Sequence, residues 1–278
     1  SATLPAPACG QTVEFTVSAT TLGGSVLTFP SSGWFAIDAV AIAFSDDMES
    51  NTGWTVGAPG DSATTGQWER ADPQPTAAQP GDDHTPAGTL CWITGAQSGT
   101  GVGSFDVDGG ATTLTSPAFD ATAGEGDAIL SYYRWYSNDQ GAAPNSDSML
   151  VQISNNNGST WSTLEIVTEN ANAWVGKTFR IADFVSPTDQ VRVRFVASDL
   201  GDGSIVEAGV DDLSLSFTGC ESTLTADLAA PFGVFNFFDI AAYIDLYGAS
   251  DPAADYDQNG TLNFFDISRF IELYNAGI

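Results

Sequence analysis

AILSYYRWY (residues 128–136) and VRVRFVA (residues 191–197) decide the fold class. Successive side chains of a strand point to opposite sides, so Val191, Val193, Phe195 and Ala197 share one face and Arg192 and Arg194 the other. One side packs and the other is wet. In the first stretch Tyr132, Arg134 and Tyr136 share one face and Tyr133 and Trp135 the other, so one aromatic set must point away from the core. From residue 45 to residue 220, similar short runs are separated by clusters of Gly, Asn, Asp and Ser with no sustained helical period, the pattern of an antiparallel sandwich. Within it SNNNGSTW (residues 154–161) has the grammar of strand, Asn-Gly turn and strand, and reads as a structural hairpin.

Residues 1–44 also alternate like strands. Val13, Phe15 and Val17 share a face, Val26 and Phe29 follow, and residues 34–44 are nearly continuous in apolar side chains. Strands this apolar need cover on both faces, and three strands are few for a domain. An uncovered edge of this kind invites pairing with another chain. The alternatives are a chain cut from a larger precursor, or strand donation from a neighbouring subunit, which would give head-to-tail contacts and an open fibre.

From residue 221 the period becomes helical and the chain repeats itself. FNFFDIAAYIDLY (residues 235–247) recurs as LNFFDISRFIELY (residues 262–274). Ile240, Tyr243, Ile244 and Tyr247 correspond to Ile267, Phe270, Ile271 and Tyr274, which lays an apolar stripe along each of two short helices expected to bury those stripes against each other. Before the second helix, DYDQNGTLNFFD (residues 255–266) matches the EF-hand loop. Calcium takes six or more oxygens, which Asp255, Asp257, Asn259 and Asp266 supply from side chains, Thr261 from its carbonyl and Asn263 through a water, while Gly260 permits the sharp turn. Asp266 stands where glutamate is usual. Counted back from Asp239, the first repeat has Leu228, Ala230 and Phe232 at the first three ligand positions, and only a one-residue shift would bring in Asp227. That loop is expected to be filled by side chains, with the metal asymmetric.

Composition excludes other classes. Acidic residues outnumber basic ones 35 to 7, for a formal charge of −28. Nucleic acid needs a basic surface, so it is not an expected partner. No apolar run is long enough to insert into a bilayer. A divalent cation, Ca2+, is the natural counter-charge. Cys9, Cys91 and Cys220 have no C-x-x-C spacing, which argues against a zinc cluster and is compatible with one bridge plus one free thiol. His84, the single histidine, lies in a Gly, Asp and Pro-rich loop and is expected to be exposed. H-E-x-x-H and G-x-S-x-G do not occur, so no catalytic residue is assigned.

Three resemblances extend these readings. Residues 227–278, on the duplication, the EF-hand-type loop and the ADLAAPFG first loop, resemble type I dockerins of planctomycete-type secreted proteins. That resemblance implies docking through loop positions 10 and 11, here Phe237, Phe238, Phe264 and Phe265, onto a cohesin-like domain or another copy of the chain. Residues 45–220, on FSDDMESNTGWTV (residues 44–56) and VEAGVDDLSLSF (residues 206–217), resemble MAM-like and carbohydrate-binding-module-like jelly rolls. This implies a structural calcium held by Asp47, Glu49 and Asp211, with Asp46 and Asp212 as alternates. Residues 4–29 resemble the closing strands of an immunoglobulin-like or fibronectin-like module. An exposed row of Tyr132, Tyr133 and Trp135 could stack on sugar rings of a polysaccharide, although strand aromatics also cover each other and arginine stems.

The expected architecture is therefore mainly β: an N-terminal Ig-like segment (1–44), a jelly-roll-like antiparallel sandwich (45–220) and a small α-helical dockerin-like calcium module (221–278). The expected function is a non-catalytic extracellular or cell-surface assembly protein, calcium-stabilised, self-associating or docking through its terminal modules and extending to a fibre subunit. The alternative is an ancillary carbohydrate- or scaffold-binding module of a secreted hydrolase.

Overall fold

The computed structural model describes residues 12–30, 35–38, 40–219, 225–256 and 261–277. It divides into two units, Ser1–Cys220 and Glu221–Ile278. In the first unit, β1 (Thr12–Phe15), β2 (Val17–Thr20), β3 (Val26–Phe29) and β4 (Phe35–Asp38) form two antiparallel ribbons, β1 with β4 and β2 with β3. The apolar run of residues 34–44 is thus split between β4 and β5 (Ala41–Asp46), and β5 belongs to the sandwich, where it pairs with the last strand. Val17, Val26, Leu27 and Phe29 of the β2–β3 ribbon remain exposed.

The sandwich continues with β6 (Thr55–Val56), β7 (Trp68–Ala71), β8 (Cys91–Thr94), β9 (Gly110–Thr115) and β10 (Ala128–Ser137). It ends with β11 (Met149–Ser154), β12 (Ser162–Val167), β13 (Val175–Arg180), β14 (Arg192–Asp199) and β15 (Glu207–Phe217). One sheet runs β13-β10-β15-β8-β7 with β5 beside β15, and the other runs β12-β11-β14-β9-β6. Every pairing is antiparallel. β15 pairs with β8 at Gly209 and Val210 and with β5 from Leu213 to Phe217, and its ladder with β10 is irregular around Asp212, which sits at φ 48°. The irregularity re-aims the side chains on either side of it.

Alternation builds the core. Val193, Phe195 and Ala197 of β14 meet Val151 and Ile153 of β11 from one sheet, and Leu130, Tyr132, Val210 and Leu215 from the other, all buried. The face of β10 that turns inward is the one carrying Arg134. Its side chain is fully buried, and it is tolerated there because Nε bonds Glu165 Oε1 at 3.0 Å and Nη2 reaches Glu165 and Glu169. Tyr132 donates its hydroxyl to the same Glu165 at 2.7 Å. The 154–161 hairpin is closed by Asn157 and Gly158, both at positive φ.

The second unit consists of α1 (Phe237–Gly248) and α2 (Phe264–Ala276), each opened by an Asn–Asp capping box. Tyr243 stacks on its counterpart Phe270 with ring centroids 4.1 Å apart, and Tyr256 abuts both edge-on. The apolar stripes are only partly buried, contrary to expectation. The ring pair takes the position between the helices, leaving Ile244 60% and Ile271 50% exposed.

Candidate functional site

The second unit positions the aromatic pairs through its caps. Asn236 Oδ1 accepts from Phe238 N–H and Asn263 Oδ1 from Phe265 N–H, both at 2.8 Å, which fixes where each helix starts and sets each phenylalanine pair in its first turn. All four rings are exposed: Phe237 by 73%, Phe238 by 62%, Phe264 by 71% and Phe265 by 66%. None is spent on the small core.

Of the EF-hand-type loop, Asp257, Gln258, Asn259 and Gly260 lie outside the described residues. Asp255 is half-buried, and Thr261 is exposed with its carbonyl accepting from Asn263 Nδ2 at 2.8 Å. Asp266 is fully buried and accepts from Asn263 N–H at 2.7 Å.

The first repeat is closed by its own aspartate. Asp239 Oδ1 accepts from Leu228 and Ala229 N–H and Oδ2 from Asn236 N–H, each at 2.8 Å, so backbone donors use both its oxygens and hold its carboxyl below the usual range. Asp227 does enter this loop, through a bond from Gly233 N–H, while its second oxygen has no partner.

On the sandwich, the outer face of the β13-β10-β15-β8-β7 sheet is covered by the loop between β7 and β8. Trp135 donates to the Ala78 carbonyl at 2.8 Å and Trp174 to that of Asp82 at 3.2 Å. His84 stacks on Tyr133 at 3.4 Å between centroids and brings Nδ1 within 2.6 Å of Asp212 Oδ2. His84 is thus half-covered, not the free loop residue expected. The aromatic row for sugars also needs correcting. Tyr132 is buried in the core, while Tyr133 and Trp135 lie under this loop. Arg134 found its acids on the far sheet, and that choice turned Tyr132 inward.

The expected ligands of the sandwich calcium each accept hydrogen bonds from the protein. Asp46 is spent on Met48 N–H, Thr52 Oγ1 and Trp54 Nε1. Asp47 is exposed and accepts from Glu49 N–H. Glu49 Oε1 accepts from Thr89 and Leu90 N–H, Asp211 Oδ2 from His84 and Thr85 N–H, and Asp212 from Thr85 Oγ1. Among the described residues no three His, Cys, Asp or Glu groups are arranged to hold a metal.

Asp83 is the residue that sequence reading missed. A side chain added at Gly88 would meet Asp83 Oδ2 at 2.2 Å and Glu49 Oε1 at 2.5 Å, so the two carboxylates face one small space. Burial first, then neighbouring Asp82 and Glu49, push Asp83 up to about 6. Burial likewise pushes Asp211 up to about 7. The signal available was GDDHT (residues 81–85), where two acids adjoin the single histidine. Nearby Cys91 is a buried free thiol; Cys9 and Cys220 lie outside the described residues.

No family model and no curated protein matches the chain. Several solved structures do. The K1 cleaved adhesin domain of Lys-gingipain from Porphyromonas gingivalis W83 is 16% identical over 63% of this chain and 98% of that one, with a TM-score of 0.40. A C-terminal family 22 carbohydrate-binding module from Clostridium thermocellum is 15% identical over 66% and 98%, with a TM-score of 0.37. The TmCBM61 module, solved with β-1,4-galactotriose, is 14% identical over 59% and 88%, with a TM-score of 0.35.

Proposed function

We propose that the chain is a non-catalytic, extracellular ancillary protein. Its sandwich holds a polysaccharide or scaffold, and its C-terminal, dockerin-like unit attaches it to a protein partner. The observation that carries attachment is the set of four exposed phenylalanines, two equivalent pairs at the starts of two equivalent helices. Exposed aromatics grouped in this way are the usual anchors of a protein interface. A non-catalytic role is supported by the state of His84, whose Nδ1 faces Asp212 and whose ring is covered by Tyr133; among the described residues no hydroxyl or thiol nucleophile is hydrogen-bonded to it. No helix of the described residues is long and apolar enough to cross a membrane.

Calcium at residues 255–266 would act as a strut that fixes the start of α2, and so the direction of Phe264 and Phe265. Chelation is expected to lower the melting temperature of the C-terminal transition, and Asp255→Ala with Asp257→Ala to abolish that sensitivity. An unchanged melting curve on chelation would sink the calcium reading. Attachment is tested by titrating a cohesin-type domain, and separately by sedimentation at rising protein concentration in calcium. Binding or self-association should vanish when all four phenylalanines are replaced by serine.

A second reading, assembly into fibres, is favoured by the exposed apolar side chains of the β2–β3 ribbon, where Leu27 is 64% and Val26 63% exposed. Isolated two-stranded ribbons are marginal in water, and added strands would complete this one. Chains that stay monomeric at high concentration would rule it out.

A further inference from the structure

The outer face of the β12-β11-β14-β9-β6 sheet is at odds with the overall charge. Arg192 and Arg194 both point outward from β14, two residues and roughly 6.5 Å apart along the strand. Acids outnumber bases 35 to 7 in this protein, yet among the described residues neither arginine makes an ion pair. Neutral acceptors hold them instead. Arg192 donates Nε to Asn157 Oδ1 at 2.5 Å and Nη1 to the Ser116 carbonyl at 2.7 Å. Arg194 donates Nε and Nη2 to Gln152 Oε1 at 2.9 and 2.6 Å, and its guanidinium lies 4.3 Å from the centroid of Trp161.

The nearest acid in effect is Asp61. Its oxygens are taken by Ala58 N–H, Thr113 N–H and Thr113 Oγ1. Partial burial therefore lowers the pKa of Arg194, with only a smaller opposing pull from Asp61. The guanidinium of Arg194 is thus held in a fixed plane by neutral partners, with its charge not paired to an acid.

We propose that this face binds a polysaccharide bearing carboxylates, a uronan, with Arg192 and Arg194 taking the carboxylate and Val196, Leu150 and Ile166 beside them supporting the sugar ring. The inference rests on the ancillary reading above and names its ligand class. A planar, pre-oriented guanidinium matches a carboxylate bidentately, in a way a point charge does not. Val196 and Leu150 stand opposite one another in the register, as do Leu150 and Ile166, and Ile166 is 61% exposed. They continue the same outer strip as the arginines, and the CH faces of a sugar can lie on it.

The net charge of −28 does not forbid this. At physiological salt the screening length is about 8 Å, so a chain on this strip feels the local arginines before carboxylates elsewhere. A polymer with one carboxylate per sugar suits two adjacent guanidiniums, whose planar fork matches a carboxylate.

The test is calorimetric titration of the intact protein, with chelator present to prevent calcium bridging, against oligogalacturonate, neutral galactan and dextran sulfate. Oligogalacturonate alone should bind, and Arg192→Gln or Arg194→Gln should weaken it about tenfold or more. Arg194→Lys, which keeps charge but loses the fork, should weaken it as well. Melting curves of each variant serve as the folding control. If galactan binds as well, or the arginine variants bind undiminished, this site is wrong while the ancillary reading stands. Equal binding of dextran sulfate would make the face a general anion surface and overturn the uronan assignment. If no glycan binds the folded protein, the sandwich half of the ancillary reading falls too.

Discussion

The two outer faces of the sandwich are opposites in charge. Among the described residues, Glu49, Asp83, Asp211 and Asp212 gather under a loop on one face with no lysine or arginine ion-paired to them; on the other, Arg192 and Arg194 are held by neutral partners with no ion-paired carboxylate. Between them, at the edge where β10 faces β12, Arg134 and Lys177 meet Glu165 and Glu169 and the charges balance. The difference teaches where ion pairing holds the fold together. Among the described residues it is at this edge that a fully buried charge is paired, and neither outer face has a counterpart to it.

Breaking the balanced pair should therefore have the largest effect. Glu165→Ala leaves Arg134 fully buried with only the more exposed Glu169, and removes the acceptor of Tyr132. Stranding a buried charge costs about 3–5 kcal/mol. Urea unfolding of the sandwich should show a loss of that size, whereas Arg192→Gln on the open face should stay within about 0.5 kcal/mol of the parent. Equal losses would mean that the open arginines are structural after all.

The same pair marks the limit of what could be read from sequence. Alternation in residues 191–197 identified a strand and its inner face correctly, and the duplication at residues 235–274 located both helices. Alternation alone could not say which face of residues 128–136 turns inward. The decision depends on Glu165 and Glu169, more than thirty residues away, accepting Arg134. Helical period likewise marked Ile244 and Ile271 as apolar. It was silent on the Tyr243–Phe270 stack that leaves both exposed, because period records direction from one helix and not the spacing between two.

The covered face should be sensitive to volume in a way the open face is not. Trp174 crosses the sheet over Gly209, where an added Cβ would meet the indole at 2.8 Å and Ile93 at 3.0 Å. Gly209→Val should lift Trp174 and loosen the loop at a cost of about 1–3 kcal/mol, the usual penalty for overpacking. Faster proteolysis within residues 72–90 would report the loosening. Protease resistance equal to the parent would show that the loop is not held by Trp174.

The smallest effect has the opposite sign and sharpens the contrast most. Asp83 is raised from its ordinary 3.8 to about 6, so the native state favours its protonated form. A group with a raised carboxyl pKa binds more protons folded than unfolded between those two values. Its contribution is therefore favourable to folding below pH about 4, declines as pH rises to about 6, and becomes a full penalty above that. Asp211, raised to about 7, extends the same trend upward. In chelator-treated protein, Asp83→Asn should raise the sandwich melting temperature at pH 7.5, leave it nearly unchanged at pH 4, and make the fall between those values shallower. Asp211 keeps part of the slope, because its oxygens are held by His84 and Thr85 N–H and it is not altered. If the Asn variant melts below the parent at pH 7.5, Asp83 has a stabilising partner at that pH. The covered face would then be balanced in charge, and the opposition between the two faces would disappear.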